Sequence, residues 1–288
     1  MDPALLGAML WRKRPALFFS PGYNPPVGWP GRYVFTLHDL NHLCVRENSS
    51  AAKRAYYQYI IRPACHRAAF VLTVSEYSKH QICAWAGIKE DRIINVGNGV
   101  GVPFTPTGEK YDPGYPYLLH VGGRKPHKNL ARLLDAYSLS GIRRDVRLVL
   151  SGDPDACTAG EIGRRGLTGD VVFADSEADM DLSNLYRGAL AFVYPSLYEG
   201  FGLPPLEAMA CGTPVLTSNV CSLPEVVGEA GILIDPLDVE AIADSIRKLV
   251  WDVDLRTELR QKGLGRAKEF SWVGTAHKTQ EVLAMAVN

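Results

Sequence analysis

The sequence predicts an α/β protein with parallel sheets in two domains. Short β-branched or aromatic runs alternate with amphipathic ones almost throughout, and one Pro- and Gly-rich segment divides that alternation. With 288 residues, 47% of them hydrophobic, the chain can fill one large core or two smaller ones.

Taken in order, the first part offers strands at 16–20 (ALFFS), 33–38 (YVFTLH) and 70–74 (FVLTV). A helical stretch runs from Ser50 to Arg67, and Ser75 is placed to cap a helix reaching about Trp85. RIINVGNGV (92–100) leaves a strand for a glycine-rich turn. Residues 103–116 hold four prolines and two glycines among polar residues. The linker is therefore placed at 105–116, between an N-terminal domain 1–104 and a second domain 117–268. Strands then follow in YLLHV (117–121), VRLVLSG, VVFA, LAFVYP, PVLTS and GILID. Helices are expected at 128–139, near 158–165, at 179–188 and in PLEAMACG. They also fill most of 238–288, with a break near Phe270–Ser271, and 269–288 is expected to return to the N-terminal domain.

Composition narrows the function. The 31 Lys and Arg balance 31 Asp and Glu, which excludes a strong polyelectrolyte footprint and with it a nucleic-acid partner. Residues 1–110 carry 13 basic and 7 acidic side chains, against 18 and 24 in 111–288. Either the basic part faces anionic lipid or a phosphorylated acceptor, or the difference is ordinary scatter. Six cysteines at unrelated spacings, without a C-x-x-C pair, read as reduced core cysteines of a cytoplasmic protein. The opening MDPALLGAMLWRKRP has its apolar stretch before the basic residues, the reverse of a signal peptide. It reads as a helix packed on its own domain, the alternative being one lying on a membrane surface.

Two segments carry chemistry. In YPSLYEGFGLPPLEAMACGTPVL (194–216) a buried strand ends, a glycine loop follows, and a helix begins near Leu203. Pro204 suits the first helical turn, where its missing N–H costs nothing. Gly200 and Gly202 let a ligand approach the backbone, and the amides of Phe201, Gly202 and Leu203 form an anion site at the positive end of the helix. Glu199 and Glu207 frame that site, and carboxylates suit sugar hydroxyls. In VGGRKPHKNLARLLDA (121–136), Arg124, Lys125, His127 and Lys128 crowd a helix start, where each cation is disfavoured by about 0.3–1 kcal/mol. An anionic ligand resolves the conflict, with Lys128 as its principal partner.

Glu199-GFGLPPL-Glu207 followed by CGTPV, and preceded by VGGRKPHKN, resembles the retaining glycosyltransferases of family 4. The resemblance covers 117–288 and, less tightly, 16–100, through TLHDL (36–40), LTVSEYSK, INVGNGV, LYRGA and FSW. It implies a GT-B architecture: two Rossmann-like doubly wound domains facing across a cleft, the donor held mainly by the second. The N-terminal domain is expected to be reduced, since only fifteen residues precede Ala16 where such proteins carry further strand–helix units and a glycine-rich loop.

By resemblance, Glu207 binds the donor ribose, Glu199 lies near the transferred sugar, and the amides of Gly200–Leu203 contact sugar and phosphate. Lys128 neutralises the diphosphate, Arg124 stands one residue after the usual arginine position, and His38 projects toward the reacting sugar. The implied reaction is a retaining, front-face displacement from a nucleotide-diphosphate hexose to a glycan or lipid-linked acceptor. D-x-D triplets occur at Asp153/Asp155, Asp179/Asp181 and Asp252/Asp254, but transfer is expected to need neither metal nor cofactor. Residues 173–182 give no code for the base, so GDP-mannose, dTDP- and UDP-sugars stay open. Competing readings are a non-catalytic nucleotide-sugar-binding subunit or truncated transferase that needs a partner, and a GT-B epimerase. Localisation is expected to be cytoplasmic, with peripheral contact at the inner membrane surface as an option.

Overall fold

The computed structural model describes residues 3–174 and 179–287, with side chains for 4–174 and 182–287. The chain divides into two compact units, 1–99 with 271–288, and 100–270.

The first unit holds a parallel sheet of β1 (Phe18–Ser20), β2 (Tyr33–Thr36), β3 (Phe70–Thr73) and β4 (Ile93–Asn95), in that order. Every residue of β2 is buried, and all but the first of β3, because helices cover both sheet faces. One face packs Phe35, Val71 and Ile93 with Tyr57, Ile61 and Ile82; the other packs Val34 and Leu72 with Val282 and Ala286 of helix Trp272–Val287. Gly99 accepts that last helix because a Cβ there would lie 2.1 Å from the Trp272 nitrogen. Ser75 caps Glu76–Ala86 by accepting from the Ser78 amide at 3.0 Å. Ser50 caps Ala51–Tyr56 in the same way, and the expected helix to Arg67 continues through a π segment at Tyr57–Ile61 ahead of Pro63. The N-terminal helix Pro3–Lys13 packs on its own unit through Leu6 and Leu10, and leaves Leu5, Met9 and Trp11 exposed.

The second unit holds β5 (Tyr117–His120), β6 (Arg147–Ser151), β7 (Val171–Ala174), β8 (Ala191–Tyr194), β9 (Val215–Ser218) and β10 (Gly231–Ile234). All pairs are parallel, in the order β10-β9-β8-β5-β6-β7. This is the doubly wound order of a dinucleotide-binding fold, and the order reverses between β5 and β8. Ligands of such sheets bind outside the carboxyl ends of the strands at that reversal. One core face joins Leu118, Leu148, Val193 and Leu216 to helices Leu130–Ser140 and Val239–Trp251.

The segment expected to be a linker, 105–116, lies within the second unit. Buried Arg187 organises it, donating to the carbonyls of Thr105 at 3.2 Å and Glu109 at 2.6 Å, while Tyr111 donates its amide to Asn184. The cysteines are less uniformly internal than expected. Cys65 and Cys211 are buried, whereas Cys44 and Cys157 are exposed, because both sit at helix ends facing solvent; none of the six forms a disulfide.

Candidate functional site

The loops leaving β5 and β8 are adjacent because those strands pair, Leu118 with Ala191 and Leu119 with Phe192. They carry the two segments singled out in the sequence, 121–129 and 195–202. Backbone bonds tie them together: the Leu197 amide donates to the His127 carbonyl at 2.7 Å. Asn129 completes the join, its Nδ2 donating to the carbonyls of Pro195 (2.9 Å) and Pro236 (2.7 Å).

Asn129 also corrects the expected helix start. Pro126–Lys128 forms a 3-10 turn, Asn129 adopts φ +61°, and the α-helix begins only at Leu130. Asn tolerates this left-handed geometry better than most residues, and here three chain segments meet at its side chain. Lys128 is thereby lifted out of the helix and turned toward Glu199. His127, expected among four crowding cations, is 7% exposed and joins the site through its carbonyl.

Lys128 Nζ stands 2.7 Å from Glu199 Oε1 and 2.6 Å from the Tyr194 hydroxyl. Tyr194 donates onward to Glu199 Oε1 at 2.7 Å, and Ser196 Oγ donates to the same oxygen at 2.8 Å. The pair is largely enclosed, its side chains 17% and 14% exposed. Tyr194 is wholly buried, and that burial, with the Glu199 charge beside it, pushes its hydroxyl well above the ordinary tyrosine range. It therefore stays protonated and works as a neutral donor.

The glycine loop has the expected form. Gly202 precedes helix Leu203–Ala210 at φ +116°, and the amides of Phe201, Gly202 and Leu203 meet no acceptor among the described residues. Buried Ser222 braces the loop through the carbonyls of Glu199 (2.9 Å) and Phe201 (2.7 Å). Glu207 accepts from Tyr186, whose hydroxyl is 3.2 Å away and raised by burial and then by the Glu207 charge.

Arg124 is engaged differently from Lys128. Its guanidinium donates to the carbonyls of Ser151 (2.8 Å) and Gly122 (3.1 Å), and its Nε lies 3.7 Å from Asp155. Beneath it, His120 donates Nδ1–H to the Val193 carbonyl at 2.9 Å, since a carbonyl can only accept. Its buried Nε2 has no partner among the described residues. Burial, set against that hydrogen bond and reinforced by the Arg124 and Lys128 cations, pulls His120 down to about 4.

Two of the D-x-D triplets serve as helix caps: Asp155 accepts from Thr158, and Asp252 from Leu255. The side chains of Asp179 and Asp181, with most of the 173–182 segment, lie outside the described residues. His38 belongs to the first unit, just beyond β2. It is exposed on one side, and packing on the other lowers its basicity against the pull of Asp39 and the Pro21 carbonyl. Tyr194, Ser196, Tyr186 and Asn129 were not singled out in the sequence; local pattern marks them only as strand, loop and helix-start residues.

Two parallel-sheet units, the second with its strand order reversing between β5 and β8, have the fold of the GT-B glycosyltransferases. A solved sucrose-phosphate synthase from Thermosynechococcus elongatus shares the fold, with a TM-score of 0.80 at 21% identity over 96% of this chain and 75% of that one. The chain belongs to the glycosyl transferases group 1, whose family model matches residues 106–266, while the Glycosyltransferase Family 4 model matches residues 7–102. Escherichia coli O-antigen chain mannosyltransferase B is 36% identical over 264 residues, covering 86% of this chain and 69% of the relative. The serotype-specific mannosyltransferase WbdA of Escherichia coli is 32% identical over 271 residues. This chain spans only 33% of that relative's length. No helix among the described residues is long and apolar enough to cross a membrane.

Proposed function

We propose that the protein transfers a mannosyl group from GDP-mannose to a glycan or lipid-linked saccharide, with retention and without a metal. The Lys128–Glu199 pair carries this reading. It sets a cation and a carboxylate at the strand-order reversal, beside the uncommitted amides of Phe201, Gly202 and Leu203. The preference for mannose is supported by the two mannosyltransferase relatives.

In this reading the amides and Lys128 take the diphosphate, Glu199 accepts from a sugar hydroxyl, and Glu207 accepts from the ribose. Arg124 acts at longer range, because two carbonyls already hold its fork. The bond from the anomeric carbon to the phosphate oxygen breaks as the acceptor oxygen bonds to the same face. The acceptor proton passes to the departing phosphate. Charge developing on the diphosphate is stabilised by groups already aimed at it. Independence from metal is supported by the capping duty of Asp155 and Asp252. Exposed Leu5, Met9 and Trp11, on the helix that ends in Arg12 and Lys13, support peripheral contact with an anionic membrane face.

Purified protein incubated with GDP-, UDP- and dTDP-sugars tests the reading. Release of GDP from GDP-mannose, undiminished by EDTA and giving an α-linked product by NMR, is the expected result. Tight nucleotide binding with no turnover under any acceptor would instead point to a non-catalytic binding subunit.

A further inference from the structure

The hydrogen bonds around Glu199 are lopsided. Lys128, Tyr194 and Ser196 all converge on Oε1, and Oε2 accepts from nothing among the described residues. Lys128 is lopsided in the complementary sense: two of its three N–H groups go to Tyr194 and Glu199, and the third has no partner there. The network thus leaves one cationic donor and one anionic acceptor side by side.

We propose that Tyr194 and Ser196 are positioning residues that pin Oε1 so that Oε2 is presented to a hydroxyl of the donor sugar. This rests on the functional reading above and adds two residues to it. Without them a carboxylate on a glycine loop would rotate freely about its last torsion and follow Lys128 wherever the ammonium moved. With them, Lys128 can be drawn to a diphosphate while two neutral donors still hold the carboxylate in place. The arrangement suits this purpose because both donors are rigid. The Tyr194 ring lies between Phe192 (centroids 5.5 Å apart, 22°) and His120 (5.9 Å, 30°), with the Thr217 hydroxyl donating to its carbonyl. Ser196 is wholly buried. The Ser196 hydroxyl also lies near the His127 and Tyr198 carbonyls, at 3.1 and 3.3 Å, but it has one proton, and the carboxylate is both nearer and charged.

Tyr194→Phe keeps the ring and removes only the hydroxyl, so the test separates positioning from packing. The measurements are kcat/KM with GDP-mannose, Kd for GDP by calorimetry, and thermal stability, on wild type, Tyr194→Phe, Ser196→Ala and Glu199→Gln. Expected for Tyr194→Phe is a fall in kcat/KM of roughly 10- to 100-fold, the range for losing a hydrogen bond to a charged group. Affinity for GDP, which has no sugar for Oε2 to hold, should stay within about twofold. Ser196→Ala should show the same split. A Tyr194→Phe enzyme with full kcat/KM, beside a crippled Glu199→Gln, overturns the anchoring while leaving the site intact. So does an equal loss of GDP affinity accompanied by a fall in melting temperature. If Glu199→Gln itself keeps full kcat/KM, or no donor turns over, the functional reading fails instead.

Discussion

Lys128 and Glu199, 71 positions apart in the chain, meet at 2.7 Å because the strands that precede them, β5 and β8, are neighbours in the sheet. In the proposed function, anion binding is an exchange: Lys128 gives up part of its hold on Glu199 and takes phosphate oxygens instead.

That exchange predicts a selective loss in Lys128→Ala. The Kd for GDP should rise at least tenfold, about 1.4 kcal/mol, as read by calorimetry. Stability should change little by urea denaturation, because Glu199 keeps the hydroxyls of Tyr194 and Ser196. Unaltered GDP affinity would remove Lys128 from the diphosphate site.

Gly202 is predicted to be irreplaceable by alanine. Its φ of +116° strains any L side chain by about 1–3 kcal/mol, and a Cβ would meet buried Leu223 at 2.9 Å. Gly202→Ala should lower the urea midpoint and weaken nucleotide binding together. Gly160→Ala, in helix Ala156–Arg164 with nothing within 4 Å of the new methyl, is the control and should be neutral or slightly stabilising.

Arg187→Ala should loosen residues 103–111. Removing the guanidinium takes the donors from the carbonyls of Thr105 and Glu109 and empties a buried site, at a cost of about 1–3 kcal/mol. Limited trypsinolysis should then cut at Lys110 faster than in wild type. Equal cutting rates would show that the segment is held by other contacts.

The protonation of His120 couples stability to pH. Its folded-state value of about 4 lies below the ordinary 6.5, so the neutral ring stabilises the fold fully above pH 6.5. As pH falls from 6.5 to 4 the unfolded chain takes up a proton that the folded one refuses. About 3 kcal/mol is lost across that window. His120→Asn can keep the donor to the Val193 carbonyl and cannot titrate, so its stability should fall less over the same window in urea titrations. Parallel pH profiles for the two proteins would be evidence against a buried neutral ring.

Much of the fold was legible in the sequence because its signals are local. Short β-branched and aromatic runs placed the ten strands of the described residues within a few residues, and Ser75, Gly202 and Pro204 announce helix starts through their own backbone preferences. The prolines and glycines of 105–116 report local stiffness, and whether such a segment packs depends on a distant partner, here Arg187. The start of helix Leu130–Ser140 was displaced for the same reason: Asn129 is pulled from helical geometry by carbonyls at Pro195 and Pro236.

By itself, the sequence determined the class of the protein and marked two candidate loops, since glycine turns at helix starts and paired carboxylates are written in consecutive residues. Only the tertiary structure decided that those loops stand side by side at the reversal of strand order. It also decided that Lys128 pairs with Glu199, and that Tyr194 and Ser196 hold one oxygen of that carboxylate. Strand pairing is a non-local choice made by the whole core, and no local periodicity records which strand becomes whose neighbour.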